Sequence, residues 1–159
     1  MALLLSAAVV AGASGCTVTG RAHAPQGQVV SYAAQQQAVR QESHAASSCA
    51  VVLTGMRATV DAYNAMVATL NATQDMAALK GTDQTALVQF DLDAQRLRTA
   101  QGRDLPADVK TALSKTARAS SELRKAVAGQ ERLALNPAAR EWDQSRRQLV
   151  TVCRKFLPR

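Results

Sequence analysis

The chain of 159 residues has the length of one domain. Aromatic residues make up only 3% of it, which excludes an aromatic-rich core and leaves Ala, Leu, Val and Met to fill the interior. The formal charge is +7 and uneven: four basic residues stand against six acidic ones through residue 95, and fifteen against six from Arg96 onward.

Alanine is abundant and favours helix, whereas runs of β-branched residues are short. The composition therefore predicts an all-α protein, and small side chains let its helix axes come close. A basic second half suits an anionic partner, whether lipid headgroups, an acidic polymer or nucleic acid; it is equally the pattern of a solvated helix face.

The chain opens MALLLSAAVVAGASGC, with no charged side chain before Cys16. Residues 1–15 are too short to span a bilayer, which takes about 20 apolar residues, and suit the apolar region of a signal peptide. No Lys or Arg precedes the run, as expected if the native start lies upstream of Met1. At Ala13-Ser14-Gly15-Cys16 the stretch resembles the lipobox of bacterial lipoproteins. Ser14 and Gly15 supply the two small residues, and Ala13 stands where Leu is common. The segment Cys16-Thr17-Val18-Thr19-Gly20-Arg21-Ala22 is similar to the start of many actinobacterial lipoproteins, and the resemblance ends there. It implies that the Cys16 thiol carries a diacylglyceryl group and that the Cys16 amine is the mature N-terminus. It further implies a partner, membrane lipid, and a location, the extracytoplasmic face of the cell membrane. The alternative is an ordinary export signal cut near Ala13 or Gly15, with Cys16 left as a spare thiol.

Residues 16–28 contain Gly20, Pro25 and Gly27 without periodicity and read as a flexible tether. The domain is expected over residues 29–159. Residues 29–48 are polar and Ala/Gln-rich, uninterrupted by Gly or Pro, and predict an extra N-terminal helix or a continuation of the next one. From about Ser47 to Ala72 apolar residues recur at Cys49, Val52, Met56, Val60, Tyr63, Val67 and Leu70, the spacing of one buried helical stripe. Lys80-Gly81 breaks the pattern, and Thr82 or Asp83 is the expected cap of a second helix. That helix runs from Asp83 to Ala100, with Leu87, Phe90, Ala94 and Leu97 inward. Leu105-Pro106 opens a third, with Val109, Leu113, Thr116, Ser120, Leu123 and Val127 inward, ending at Gly129. Asn136-Pro137 reads as the start of a fourth, after a connection or extra turn over residues 130–135. It carries Trp142, Ser145, Leu149, Val152 and Phe156 on one face.

Four such helices with short connections predict an antiparallel up-down-up-down four-helix bundle. In that topology the first helix begins at the end where the fourth finishes. Cys49 lies near the start of the first and Cys153 near the end of the fourth, so the topology brings the two thiols together. An even pair in an exported chain is a disulfide candidate.

Little else in the sequence carries chemistry. His44 and Cys49, five residues apart, lie on different helix faces, and no metal site is expected. Asp91 and Asp93 point about 200° apart on a helix and are expected on solvated faces. Hydrolase, phosphate-loop and dinucleotide motifs are missing, so neither a cofactor nor an enzyme is expected. Aromatic stacking platforms are missing too, and no nucleic-acid partner is expected. The basic residues of the last two helices remain. Among them Lys110, Arg118, Lys125, Arg146 and Arg147 are the candidates for contact with an anionic surface. The sequence thus predicts a non-enzymatic, lipid-anchored interaction or scaffold module of the cell envelope. Its partner would be an envelope protein or anionic envelope component. A second reading, a bundle that carries a small apolar ligand, rests on the polar centre at Thr116 and Ser120.

Overall fold

The computed structural model describes residues 25–158. Four helices follow one another: α1 (Gln26–Thr73), α2 (Thr82–Gln101), α3 (Ala107–Ala128) and α4 (Arg132–Cys153). A single 3₁₀ turn at Met76–Ala78 lies between α1 and α2. Each helix packs against the next in antiparallel order, and the α1–α4 seam is the thinnest of the four. The bundle expected from the sequence is the fold observed.

Helix α1 is one continuous rod of 48 residues. At 1.5 Å per residue it is about 72 Å long, more than twice the length of its partners. The polar segment 29–48 is therefore the first part of α1 and not a separate helix. The rod also takes in residues 26–28, assigned to the tether from sequence; Pro25, with its fixed φ, sits at the N-cap. Cys16 lies outside the described residues. Residues 26–40 are exposed on every side, so α1 overhangs the bundle by several turns. Its first ties to the bundle are at Asp104, after α2: Gln41 Nε2 donates to the carboxylate at 2.9 Å, and His44 Nδ1 donates to the carbonyl at 3.1 Å.

The connections explain where the helices stop. Gln74 ends α1 in the left-handed region (φ 55°), and its N–H closes onto the Leu70 carbonyl at 2.7 Å. Gly81 (φ 84°) takes the N-cap of α2, so Thr82 and Asp83 fall inside the helix. Helix α4 begins at Arg132, one turn before the expected Asn136-Pro137 start. Two effects account for the extra turn. Leu135 is buried among the side chains of the aromatic end, which anchors it. Pro137 removes only the hydrogen bond to the carbonyl of Leu133, a residue of the solvent-exposed first turn.

The interior has two apolar halves. One surrounds the Cys49–Cys153 disulfide, with Val52, Met56, Leu97, Val109, Leu113 and Leu149. The other holds Met66, Leu79, Leu123 and Leu135 with Phe90 and Trp142. There Tyr63, Phe90 and Trp142 meet edge to face, with ring centroids 5.5–6.2 Å apart.

The disulfide joins Cα atoms 5.5 Å apart and closes a separation of 104 residues. Its constraint on the unfolded chain is large because the loop is long. The Cys49→Ser/Cys153→Ser double variant should unfold in urea at a lower midpoint, with a loss of about 2–5 kcal/mol. An unchanged midpoint would show that packing alone holds α4 to α1.

Candidate functional site

Three arrangements carry the functional content of the fold. The first is the disulfide, which pins the end of α4 to α1 where α1 leaves the bundle. It is also where the thin α1–α4 seam is closed.

The second is the basic face of α3 and α4. Of the five cations expected at an anionic surface, three are already engaged. Lys125 Nζ lies 3.0 Å from Glu122. Arg146 Nη2 lies 2.6 Å from Asp143, and Arg147 pairs with the other oxygen of the same carboxylate. These are i,i+3 and i,i+4 pairs, mostly exposed, of a kind that contributes about 0.3–0.5 kcal/mol each. Asp143 thus neutralises part of the charge that sequence assigned to α4. Lys110 and Arg118 are exposed and have no acidic partner among the described residues.

Along the α3–α4 seam run two adjoining grooves of about 630 and 680 Å³. They share Lys115, Gln144 and Gln148, and so form one trough. Arg118 lines the first part and Arg147 the second. Lys110 and Lys125 line neither, so only part of the sequence-derived set converges. Lys115 was missed as a member. Its signal was present: Lys115, Arg118 and Glu122 recur at helical spacing along the rim of α3, beside the small residues Ala112 and Ala119 that make the floor.

The third arrangement is a polar belt between the apolar halves. Each helix contributes to it at the same level: Thr59 from α1, Asp93 from α2, Thr116 and Ser120 from α3, Ser145 from α4, all buried. Thr116 Oγ1 spans the α3–α4 seam, 2.9 Å from the Ala112 carbonyl and 3.3 Å from that of Ser145. Ser145 Oγ donates to the Trp142 carbonyl at 2.8 Å.

Asp93 corrects the expectation of a solvated carboxylate. It is 2% exposed. Arg96, one turn later, reaches back to it with Nη1 3.0 Å from Oδ1. Burial pushes its carboxyl above the ordinary value of 3.8, while Thr59 and Arg96 pull the other way. Its second oxygen, the Ser120 hydroxyl and the Trp142 indole N–H have no protein partner. Asp91, by contrast, is exposed and held as the anion by Arg124, in a two-pronged contact at 2.6 and 2.9 Å.

Groups of three or more metal-ligating side chains are absent among the described residues, as are helices long and apolar enough to cross a membrane.

The family model described as the Rv2240c four-helix bundle domain matches residues 31–154. The chain belongs to that family. The match begins inside the overhang of α1 and ends one residue after Cys153, so it takes in the clasp and the polar belt of this Rv2240c-type bundle. No curated protein and no solved structure matches the chain.

The Asp93 carboxyl gives this bundle a pH signature. In the unfolded chain an aspartate titrates near 3.9, and the folded state holds the proton to higher pH. Between the two values the native state binds more protons, so stability falls as pH rises. The stability of the wild type relative to Asp93→Asn should therefore decline from about pH 4 upward and level off above the raised native pKa. Unfolding curves that stay parallel across that range would remove Asp93 as a strained buried acid.

Proposed function

We propose that this protein is a non-enzymatic lipoprotein of the cell envelope, whose helical bundle stands on a lipid-bearing Cys16 and engages a partner. The observation that carries the reading is the Cys49–Cys153 bond. Disulfides persist in oxidising compartments outside the cytosol. With two of the three cysteines engaged, Cys16 is the one left over, at the position where the leader resembles a lipobox. Two acyl chains there would anchor firmly, since each buried CH₂ contributes about 0.8 kcal/mol. The family's mycobacterial name agrees with the actinobacterial likeness of the segment after Cys16.

The partner surface we assign is the α3–α4 trough, with Lys115, Arg118 and Arg147 along it. Asp108, Glu122 and Glu141 also line it, and Arg147 is paired with Asp143, so its mixed charges, amides and small-residue floor suit an envelope protein better than an anionic envelope component. The apolar-ligand reading has less support. Thr116 and Ser120, on which it rested, belong to the polar belt, and the halves on either side are filled by Phe90, Met66, Trp142 and leucines.

Cys16→Ala tests the anchor in the native host. The wild type should partition with membranes and enter the detergent phase, and the variant should appear in the aqueous or secreted fraction. An identical distribution of the two would refute lipid anchoring at Cys16.

A further inference from the structure

The geometry points to an anion-binding cleft between α1 and α2, separate from the α3–α4 trough, that takes a phosphate-type headgroup on Arg96 and Arg103. The cleft has a volume of about 210 Å³. Its α1 wall is Ser47, Ser48, Val51 and Val52, and its other wall is Gln95, Arg96, Thr99 and Ala100 of α2 with Arg103 just beyond the helix end. These spacings are those of two helix faces laid against each other, so both walls are continuous.

Two cations aim across one seam, and each is held in place. Arg103 Nη1 donates to Ser47 Oγ at 2.8 Å, which draws the guanidinium from the end of α2 onto α1. Ser47 in turn donates to the His44 carbonyl at 3.1 Å. Arg96 is seated by two features at once. Its Nη1 is fixed on buried Asp93, and its Cδ, Nε and Nη1 lie where a side chain at Gly55 would be: a Cβ there would come within 2.6 Å of all three. Glycine at position 55 thus opens α1 for the Arg96 side chain to lie across it. Only one of the five guanidinium N–H bonds is spent on Asp93.

The second, independent observation is Ser48. It is 3% exposed, lines the cleft, and its hydroxyl has no hydrogen-bond partner. A buried hydroxyl left unmade costs about 1–3 kcal/mol, and an anion oxygen in the cleft would accept its proton. Two guanidinium forks, the Ser48 and Thr99 hydroxyls and the Gln95 amide are a donor-rich set, and planar forks match phosphate oxygens in pairs. Val51, Val52 and Ala100 add an apolar side that fits the carbon part of a phosphate ester better than a bare ion. A lipid headgroup and a free phosphate ester share this chemistry.

The oxidised protein, labelled with ¹⁵N, would be titrated with inorganic phosphate and with glycerol phosphate. It would then be sedimented with vesicles of phosphatidylglycerol or of phosphatidylcholine. Arg103→Gln is the main variant, because Arg103 is on the surface and its loss spares the core. Ser48→Ala is the second, since removing an unpartnered hydroxyl should leave thermal stability unchanged or higher. Lys80→Gln, exposed at the far end of the bundle, is the control. Saturable shifts at Ser47, Ser48 and the Arg96 and Arg103 Nε groups, weakened about tenfold or more in Arg103→Gln and measurably in Ser48→Ala, would establish the cleft with a soluble ester as ligand. Binding to phosphatidylglycerol vesicles alone, lost in Arg103→Gln but kept in Lys80→Gln, would establish it with a lipid headgroup. No saturable response to any probe, or equal weakening in Lys80→Gln, would overturn it. Neither result depends on acylation at Cys16 or on the α3–α4 trough.

Discussion

The bond between Cys49 and Cys153 is the constraint on which the rest of the molecule depends. Three seams of the bundle are closed by packing between consecutive helices, but the fourth, between α1 and α4, is thin. A covalent clasp at one end of that seam holds the last helix against the first. It does so at the level where α1 leaves the bundle, so the overhanging rod is fixed to a closed body and not to a single loose helix. The clasp also supports the proposed envelope location, since such a bond lasts where thiols are not kept reduced. In that reading fold and location are linked through two residues 104 positions apart.

The middle of the bundle follows a different logic from its ends. An apolar layer around the clasp and an aromatic layer at the far end are separated by Thr59, Asp93, Thr116, Ser120 and Ser145. Burying such groups is costly where hydrogen bonds are incomplete, and Asp93, Ser120 and Trp142 each keep an unmatched polar atom. A polar belt restricts how four helices can slide past one another, because any shift in register would leave the carboxylate of Asp93 against apolar side chains. Arg96 connects that belt to the surface. It answers Asp93 inside and lies over Gly55, so the stability of the interior and the shape of the α1–α2 cleft rest on one side chain.

Much of this fold is legible in the sequence. All six residues named for the α3 stripe are buried, since the apolar and small polar positions there repeat without a competing signal. The pairing of Cys49 with Cys153 follows from the parity of the helices alone. The α2 stripe is where periodicity misleads. Ala86, Asp93 and Ala100 face inward, while Leu87 and Ala94, chosen for their apolarity, are half-buried. A carboxylate is an improbable core residue on its own, and its partners, Thr59 and Arg96, are visible only once α1 lies beside α2. The extra turn of α4 was hidden for a related reason. Pro137 looks like a start when local chemistry is read alone, whereas burial of Leu135 against other helices decides the boundary. The candidate site was less legible than the fold. Lys110, Arg118, Lys125, Arg146 and Arg147 share a sign, but Glu122 and Asp143 take up three of them, and spacing along one helix says nothing about the carboxylates opposite.

In the proposed reading a leader of residues 1–15 is removed, Cys16 bears the lipid, and the body behind it is closed by one bond. Intact mass of the native protein, recovered from its own membranes without reductant, tests all of these together. The expected species begins at Cys16, carries acyl chains there, and is lighter by two hydrogens than the reduced polypeptide. A full-length, unacylated chain with Cys49 and Cys153 as free thiols would contradict it.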